Sequence, residues 1–513
     1  MAGVGWQACL AVVSGALLAL AFPSVNLSLC AWVGLVPLLW ATAGARPKRA
    51  FWLGWLCGFA FFLGTLYWVV NPIDHYTDAP FVVALLALLL LAAAMGLQTA
   101  VFAAGLRVAK APELIPVELL APALWVALEW LRSMGSLGFP WVALGYSQYR
   151  QSSLIQFAEV TGVYGISALL VFANVVAWAL LGRRRARFKR SAWALAILVA
   201  LLVGLPMVGR RRLEAIGRAP RAGRVAVGIV QANVDQGRKW DPAFQEEALE
   251  RHARLVVEAR KAGAELVVWP ETAAPFYFQS ESPQRQRLLD LAVAEDVDLL
   301  FGSPAFSHEH GELKLFNRAY LVRRDGREGG FYDKLQLVPF GEYVPFQSVL
   351  FFVDEVVDAV GDFAPGREAT VFTLPQGHFG VLICYEGIFP NLSRRLVARG
   401  ADFLVNITND AWFGETSAPH QHLAMVTLRA VENRVPIVRA ANTGISAIVD
   451  VDGRLRWQTG LFEAAARTDT VEWLNVRTLY TRYGDVFAAL CGLASVALIG
   501  YGGWRAWLHP ERC

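Results

Sequence analysis

Long uncharged stretches alternate with short polar ones through the first 210 residues, and then the pattern changes. Apolar runs occupy about 4–22, 27–41, 51–70, 81–106, 114–131, 154–181 and 191–209, and one more returns at about 486–504. Most approach the roughly 20 residues that an α-helix needs to cross about 30 Å of hydrocarbon. Helices are expected because lipid offers no partner to an unpaired backbone group. The run at 27–41 is short, and the run at 114–131 carries Glu118 and Glu129. The first run lacks a basic leading region and six more follow it, so it reads as a retained span. Between about 222 and 475 the pattern is that of a water-facing domain. "RVAVGIVQANV" (224–234), "AELVVWPET" (264–272), "VDLLFGSP" (297–304), "FGVLICYE" (379–386) and "ADFLVNITND" (401–410) read as buried strands. Amphipathic helices are predicted at 241–263, 282–296, about 390–399 and about 419–433, and "VPIVRAANTGISAIVD" (435–450) as a strand pair turning at Asn442–Gly444. Short apolar runs alternating with helical segments predict an α/β layered fold.

The expected organisation is therefore a membrane domain of about seven helices over 1–210, a catalytic-sized domain over 222–475 and a last span over 485–508. Composition agrees. The 513 residues are 55% hydrophobic and 18% charged, where a soluble domain sits nearer 45–50% and about 25%. The net charge of +4 is too mild to argue for nucleic acid, and no arginine-aromatic motif supports that class.

Basic residues set the orientation. With the N-terminus in the cytoplasm, the inside loops hold Arg46, Lys48 and Arg49, then Arg107 and Lys110, then "RRRARFKR" (183–190), then Arg505 and Arg512. The opposite loop, "NPIDHYTDAP" (71–80), has neither Lys nor Arg. This frame puts 210–485 outside the cytoplasm, as part of a multi-pass membrane protein. The basic stretch "GRRRLEAIGRAPRAGR" (209–224) runs against it, although long translocated domains largely escape the charge rule.

Of six cysteines, Cys9, Cys30, Cys57 and Cys491 fall in predicted spans and Cys513 ends the chain, so Cys384 is the one in the exterior domain. Extracytoplasmic thiols usually pair. A thiol without a local partner is either a reactive group or an inert small hydrophobe in a core. Three segments bear on the choice: "VVWPET" ends a strand at Glu271, "FYDKLQLVPFGEYVPF" (331–346) presents Lys334 and Glu342, and "CYEG" follows a strand with Cys384. Each is weak alone.

Together, the strand-terminal Glu, loop Lys and strand-terminal Cys resemble the nitrilase superfamily, whose sites use those residue types in that chain order. "NITNDAWFG" (406–414) and "RAVENRVPIVRAANTG" (429–444) extend the likeness. With the apolar frame, "GFPWVALGYSQ" (138–148), "KWD" (239–241) and "KLQLVPFGEYVPF" (334–346), the chain resembles the apolipoprotein N-acyltransferase family. The resemblance implies a bundle of about eight spans carrying an αββα nitrilase-like sandwich. It implies transfer of a fatty acyl chain from a membrane phospholipid, through a thioester on Cys384, to the α-amino group of a diacylated apolipoprotein. Neither cofactor nor metal is implied. Glu271 would act as general base, Lys334 would stabilise the oxyanion together with the Tyr385 N–H, and Glu342 would orient Lys334. Glu386 would anchor the loop that aims the thiol, Tyr385 would shape the acyl pocket and Trp240 would line the lipid entrance. The apolar stretches 345–360, with Phe351 and Phe352, and "PFYF" (275–278) are expected to dip toward the bilayer as arms.

Other readings explain less. "SHEH" (307–310) and "HQH" (420–422) lack a third ligand at metal spacing. The Ser elbow G-x-S-x-G does not occur. A membrane-tethered amidase would need neither eight spans nor apolar arms. An inactive module of a transporter or lipid-binding scaffold should have lost some of Glu271, Lys334, Glu342 and Cys384.

Overall fold

Alternation within the short apolar runs decides the water-facing half. In Val225, Val227 and Ile229 every second residue points one way, as strand geometry requires. These side chains pack with Val381, Ile383, Val405 and Ile407 from a second sheet. The computed structural model describes residues 2–109, 115–181, 185–239, 241–309, 311–345 and 362–508. They form two units: 216–482 together with 71–79, and the remainder of the chain.

The first of these is built on twelve strands: β1 (Gly223–Gln231), β2 (Leu266–Val268), β3 (Asp298–Glu309), β4 (Glu312–Val322), β5 (Glu328–Asp333), β6 (Val371–Thr373), β7 (His378–Ile383), β8 (Phe403–Thr408), β9 (Ile437–Ala441), β10 (Ala447–Val449), β11 (Leu455–Gln458) and β12 (Ala465–Trp473). They make two six-stranded sheets, ordered β12-β1-β2-β3-β4-β5 and β11-β10-β9-β8-β7-β6. Each has a parallel centre, β1-β2-β3 in one and β7-β8-β9 in the other, flanked by antiparallel strands. The inner faces share one apolar core. Helices Pro242–Lys261 and Pro283–Ala294 cover the outside of the first sheet through Leu249, Val256, Leu288 and Ala292. Pro390–Ala398 and Ala418–Asn433 lie against β7, β8 and β9 of the second. The layering is αββα. Five parallel strand ends bring together the polar turns after β1, β2, β7, β8 and β9, the usual place for a site in such sheets.

The other unit is helical. Among the described residues five helices are long and apolar enough to cross a membrane: Pro47–Tyr76, Phe81–Val108, Val163–Leu181, Ala192–Arg218 and Val486–Arg505. Other expected spans are shorter or broken. Residues 28–42 form a 3-10 turn and the helix Val36–Thr42 rather than one rod. Asn174 satisfies that break, donating to the Ala31 carbonyl at 2.8 Å and accepting from the Leu35 N–H at 2.7 Å. Val117–Arg132 has 16 residues with Pro122 inside. The run predicted from 154 divides at Gly162, whose φ of +64° ends one helical turn before Val163–Leu181 begins. Glu129 has a local purpose: its Oε1 accepts from Trp125 Nε1 and the Leu144 N–H, both at 2.7 Å.

The expectation of an apolar arm at 275–278 does not hold. Phe278 is fully buried and Phe276 packs on the helix-side core. Ser303 fastens both, donating to the Phe276 carbonyl at 2.5 Å and accepting from the Phe278 N–H at 3.4 Å. Tyr277 alone is exposed. Phe351 and Phe352, and the stretch 346–361 around them, lie outside the described residues, as do Trp240 and His310.

Candidate active site

Glu271 sits three residues beyond β2, on a turn pressed against β3. A Cβ on Gly302 would lie 2.3 Å from the Thr272 nitrogen and 2.8 Å from the Glu271 Cα, so only glycine permits this approach. Thr272 has a φ of +49°, and the Glu271 carboxylate is thereby aimed back over the strand ends. Its Oε1 accepts from Asn317 Nδ2 at 2.7 Å and its Oε2 from the Asn409 N–H at 2.9 Å.

Lys334 follows β5 directly and its main chain continues the pairing, with its N–H on the Asn317 carbonyl at 2.9 Å. The side chain is 1% exposed. Its ammonium donates to Glu342 Oε1 at 2.8 Å and stands 3.5 Å from Glu271 Oε1. Burial alone would lower its pKa, but Glu342, Glu271 and Cys384 outweigh that and hold the ammonium above the ordinary lysine range. An ammonium has three donors, so two carboxylates leave one direction for a developing oxyanion. Asn317 also donates to Glu342 Oε1 at 2.9 Å, and Glu342 Oε2 accepts from the Val338 N–H at 2.8 Å.

Cys384 terminates β7 with a φ of +51°. A non-glycine residue held there costs about 1–3 kcal/mol and is kept only where the surroundings enforce it. Burial, with the Glu271 charge adding to it and Lys334 opposing, pushes its thiol well above the ordinary range. The resting group is therefore a neutral thiol beside a carboxylate and an ammonium. Tyr385 is buried with its ring edge-on to Phe389 at 5.0 Å.

Glu386 ties the lysine loop to the cysteine strand. Its Oε1 accepts from Tyr332 Oη at 2.8 Å, the Leu335 N–H at 2.7 Å and the Gln336 N–H at 3.1 Å, while its Oε2 accepts from the Ile383 N–H at 2.7 Å. Burial raises its carboxyl to about 7 against the pull of the Ile383 amide and Lys334.

Residues that sequence reasoning did not single out complete the arrangement. His422 Nε2 is 3.1 Å from the Cys384 carbonyl and its Nδ1 is 3.2 Å from Arg439 Nη2. Nδ1 also stands 3.3 Å from Asp410 Oδ1, so the ring is held between Arg439, Asp410 and the Cys384 carbonyl. Burial and then Arg439 hold the ring below the usual histidine pKa, opposed by Asp410. Arg439 donates to Asp410 Oδ2 at 2.6 Å, to the Ile445 carbonyl at 3.1 Å and to Asn406 Oδ1. Burial would raise Asp410, yet Arg439, His422 and Thr408 hold it well below the carboxylate range. Lys239, 2% exposed, donates to the Glu271 carbonyl oxygen at 3.3 Å; burial lowers it to about 8, with Glu271 opposing. Both Glu271 and Cys384 are thus gripped by their main-chain carbonyls. The motif "HQH" and the polar residues inside "NITND" and "IVRAANTG" were the visible signals. Among the described residues no group of three or more His, Cys, Asp or Glu could hold a metal ion.

The structure therefore gathers Glu271, Lys334, Glu342, Cys384 and Glu386. A base, a fixed cation and a thiol in this order can form and break an acyl–sulfur bond.

Residues 14–176 match the apolipoprotein N-acyltransferase N-terminal domain, and residues 226–472 match the carbon-nitrogen hydrolase family. The apolipoprotein N-acyltransferase of Geobacter metallireducens is 44% identical over 96% of this chain and 95% of its own. That of Haemophilus ducreyi is 32% identical over 97% and 96%. Among solved structures, an amidase of the nitrilase superfamily from Nesterenkonia is 22% identical, covering 53% of this chain and all of its own with a TM-score of 0.39.

Proposed function

The chain belongs to the apolipoprotein N-acyltransferase family, and on that premise we propose that it acylates the N-terminal amine of diacylated apolipoproteins with a fatty acid from a membrane phospholipid, through a thioester on Cys384. The observation that carries this reading is Lys334, buried between Glu271 and Glu342, where its positive charge favours ionisation of Cys384.

The reaction divides in two. Glu271 takes the thiol proton as sulfur attacks the ester carbonyl, and Lys334 meets the charge on the carbonyl oxygen. The ester C–O bond breaks, Glu271 returns the proton to the leaving oxygen, and lysophospholipid departs. The apolipoprotein amine then attacks the thioester. Glu271 accepts its proton and passes it to the departing sulfur, leaving an amide and a restored thiol. An ester is a poor acyl donor to an amine and a thioester a good one, so the intermediate replaces one hard step with two easier ones and implies ping-pong kinetics. Glu342 keeps Lys334 in place, and Glu386 holds the lysine loop and the cysteine strand in register. Trp240, Phe351 and Phe352 are assigned to the lipid entrance from their position in the sequence.

Both substrates are held by a bilayer, which gives the apolar helices a purpose. The catalytic unit is assigned to the periplasmic face of the inner membrane. Two facts support this: the loop 71–79, free of Lys and Arg, groups with that unit, and Arg46, Lys48, Arg49, Arg107, Lys110 and 183–190 fall on the opposite connections.

Mass spectrometry of full-length protein incubated with phospholipid tests the proposal. A fatty-acyl adduct on the peptide containing Cys384, discharged by an apolipoprotein amine and missing in Cys384→Ser, is the expected result. Acylation of the acceptor at the wild-type rate by Cys384→Ser would refute it, and so would release of ammonia from small amides with no lysophospholipid formed.

A further inference from the structure

The segment 71–79 comprises the end of the apolar helix Pro47–Tyr76 and the short link toward Phe81–Val108, yet it is part of the unit that carries Cys384. Its contacts converge on one turn. Asn71 Nδ2 donates to the Trp412 carbonyl at 2.8 Å, and Tyr76 Oη donates to the Ala411 carbonyl at 3.2 Å. The Tyr76 ring lies edge-on to Trp412 at 4.8 Å. Gly414, with a φ of +58°, closes the turn, and a Cβ there would come within 2.8 Å of the Asn71 side-chain oxygen.

That turn, Asp410–Phe413, is the 3-10 helix directly after Asn409. The Asn409 N–H holds Oε2 of the Glu271 carboxylate, while Asn317 and Lys334 meet Oε1. On its upstream side Asn409 is anchored by its side chain, which donates to Gln236 Oε1 and accepts from Asn442 Nδ2 at 3.2 Å. Downstream, the carbonyls that follow it are held by Asn71 and Tyr76. An amide aims well only when the backbone on both sides of it is fixed, because its N–H direction follows the adjoining dihedrals.

We infer that Asn71 and Tyr76 are positioning residues for the reaction, holding the 410–413 turn so that the Asn409 N–H stays aligned on Glu271. This rests on the reading of Glu271 as the base. Neither residue touches the reacting atoms. Each acts through one carbonyl of the turn and the Asn409 amide, and each lies far back in the chain from the elements it steadies.

Two full-length variants keep the shape and remove the donor. Asn71→Asp is isosteric but turns an oxygen toward the Trp412 carbonyl, and Tyr76→Phe retains the ring on Trp412. In single-turnover acylation of Cys384 by phospholipid each is expected to slow the step about two- to tenfold, the worth of one neutral hydrogen bond. KM for phospholipid should be unchanged, as should the thermal midpoint of Tyr76→Phe. Alkylation of Cys384 by iodoacetamide, which needs the base but no lipid, should slow in parallel. Wild-type acylation and alkylation rates in both variants would overturn the inference, as would a rise in KM with kcat intact or a rate loss that merely tracks the loss of folded protein. Glu271→Gln, run alongside, separates the two levels. If it still acylates Cys384 at the wild-type rate, the reading of the base fails. If it is inactive while the Asn71 and Tyr76 variants match wild type, only the positioning role fails.

Discussion

Glu386 offers the sharpest test of how the site is assembled, because one carboxylate spans two elements. It is fully buried, and four donors reach it: Tyr332 Oη, the amides of Leu335 and Gln336 beside Lys334, and the amide of Ile383 before Cys384. In Glu386→Gln, the orientation that preserves the three bonds at Oε1 turns an NH₂ toward the Ile383 N–H. One charge-assisted hydrogen bond worth about 1.5–3 kcal/mol is lost, and a buried amide is left facing another donor. Expressed as misalignment of Cys384, this is roughly a ten- to hundredfold loss in the acylation rate. Glu386→Ala loses all four bonds at about 1–3 kcal/mol each, which exceeds or rivals the stability of an ordinary domain. The assay pairs a thermal melt of the detergent-solubilised protein with single-turnover acylation of Cys384 followed by mass spectrometry. Glu386→Gln should melt a few degrees early and acylate slowly at saturating lipid, while Glu386→Ala should fail to accumulate in folded form. If both variants acylate at the wild-type rate, or if the alanine variant melts no earlier than the glutamine one, the clamp reasoning is wrong.

Three other perturbations follow from the same geometry. Lys334→Met should slow acylation by about 10²–10³ through loss of the oxyanion donor, and the apposed Glu271 and Glu342 should lower the melting temperature; a stable variant with wild-type turnover would contradict this. Asp410→Asn leaves the buried Arg439 guanidinium without its carboxylate, which should cost about 3–5 kcal/mol in denaturant melts and slow acylation by loosening His422 from the Cys384 carbonyl. Lys239 falls to about 8 from 10.5 on burial, so between those values the unfolded chain holds a proton that the folded one has released. Stability from this group therefore rises with pH across that window, by about 3 kcal/mol for 2.5 pKa units, and is lost as pH falls through 8. In Lys239→Met the gain in melting temperature between pH 8 and pH 10 should shrink relative to wild type.

Where unbroken apolar runs coincide with structure, the sequence was readable. The central strands β1, β2, β7, β8 and β9 are buried on both faces and stand out as Val- and Ile-rich runs. The flanking β4 and β5 were not marked, because "ELKLFNRAYLV" breaks its apolar run with Lys314, Asn317 and Arg318 and "EGGFYD" is mostly exposed and opens on two glycines after a glutamate. Glu271, Lys334 and Cys384 could be picked out because each stands at a strand end or in a punctuated loop. Asn317, Asn409, His422 and Arg439 could not. Each is a polar residue within or beside an ordinary strand or helix, and its role exists only once distant segments meet. The helical half shows the converse error. Hydropathy alone does not register the break at Gly162 or the divided segment 28–42, whose buried peptide groups at Ala31 and Leu35 depend on Asn174, more than a hundred residues away.

The membership of 71–79 in the catalytic unit has a consequence for biogenesis. These nine residues leave the ribosome more than a hundred residues before position 216 is made. These residues must therefore wait, Asn71 and Tyr76 without their partners, until Trp412 and Gly414 are made. Folding of the C-terminal half is thus also the step that seats this early fragment. A fusion or truncation that separates the two halves between 210 and 222 would deliver a sandwich lacking a piece no downstream sequence can replace.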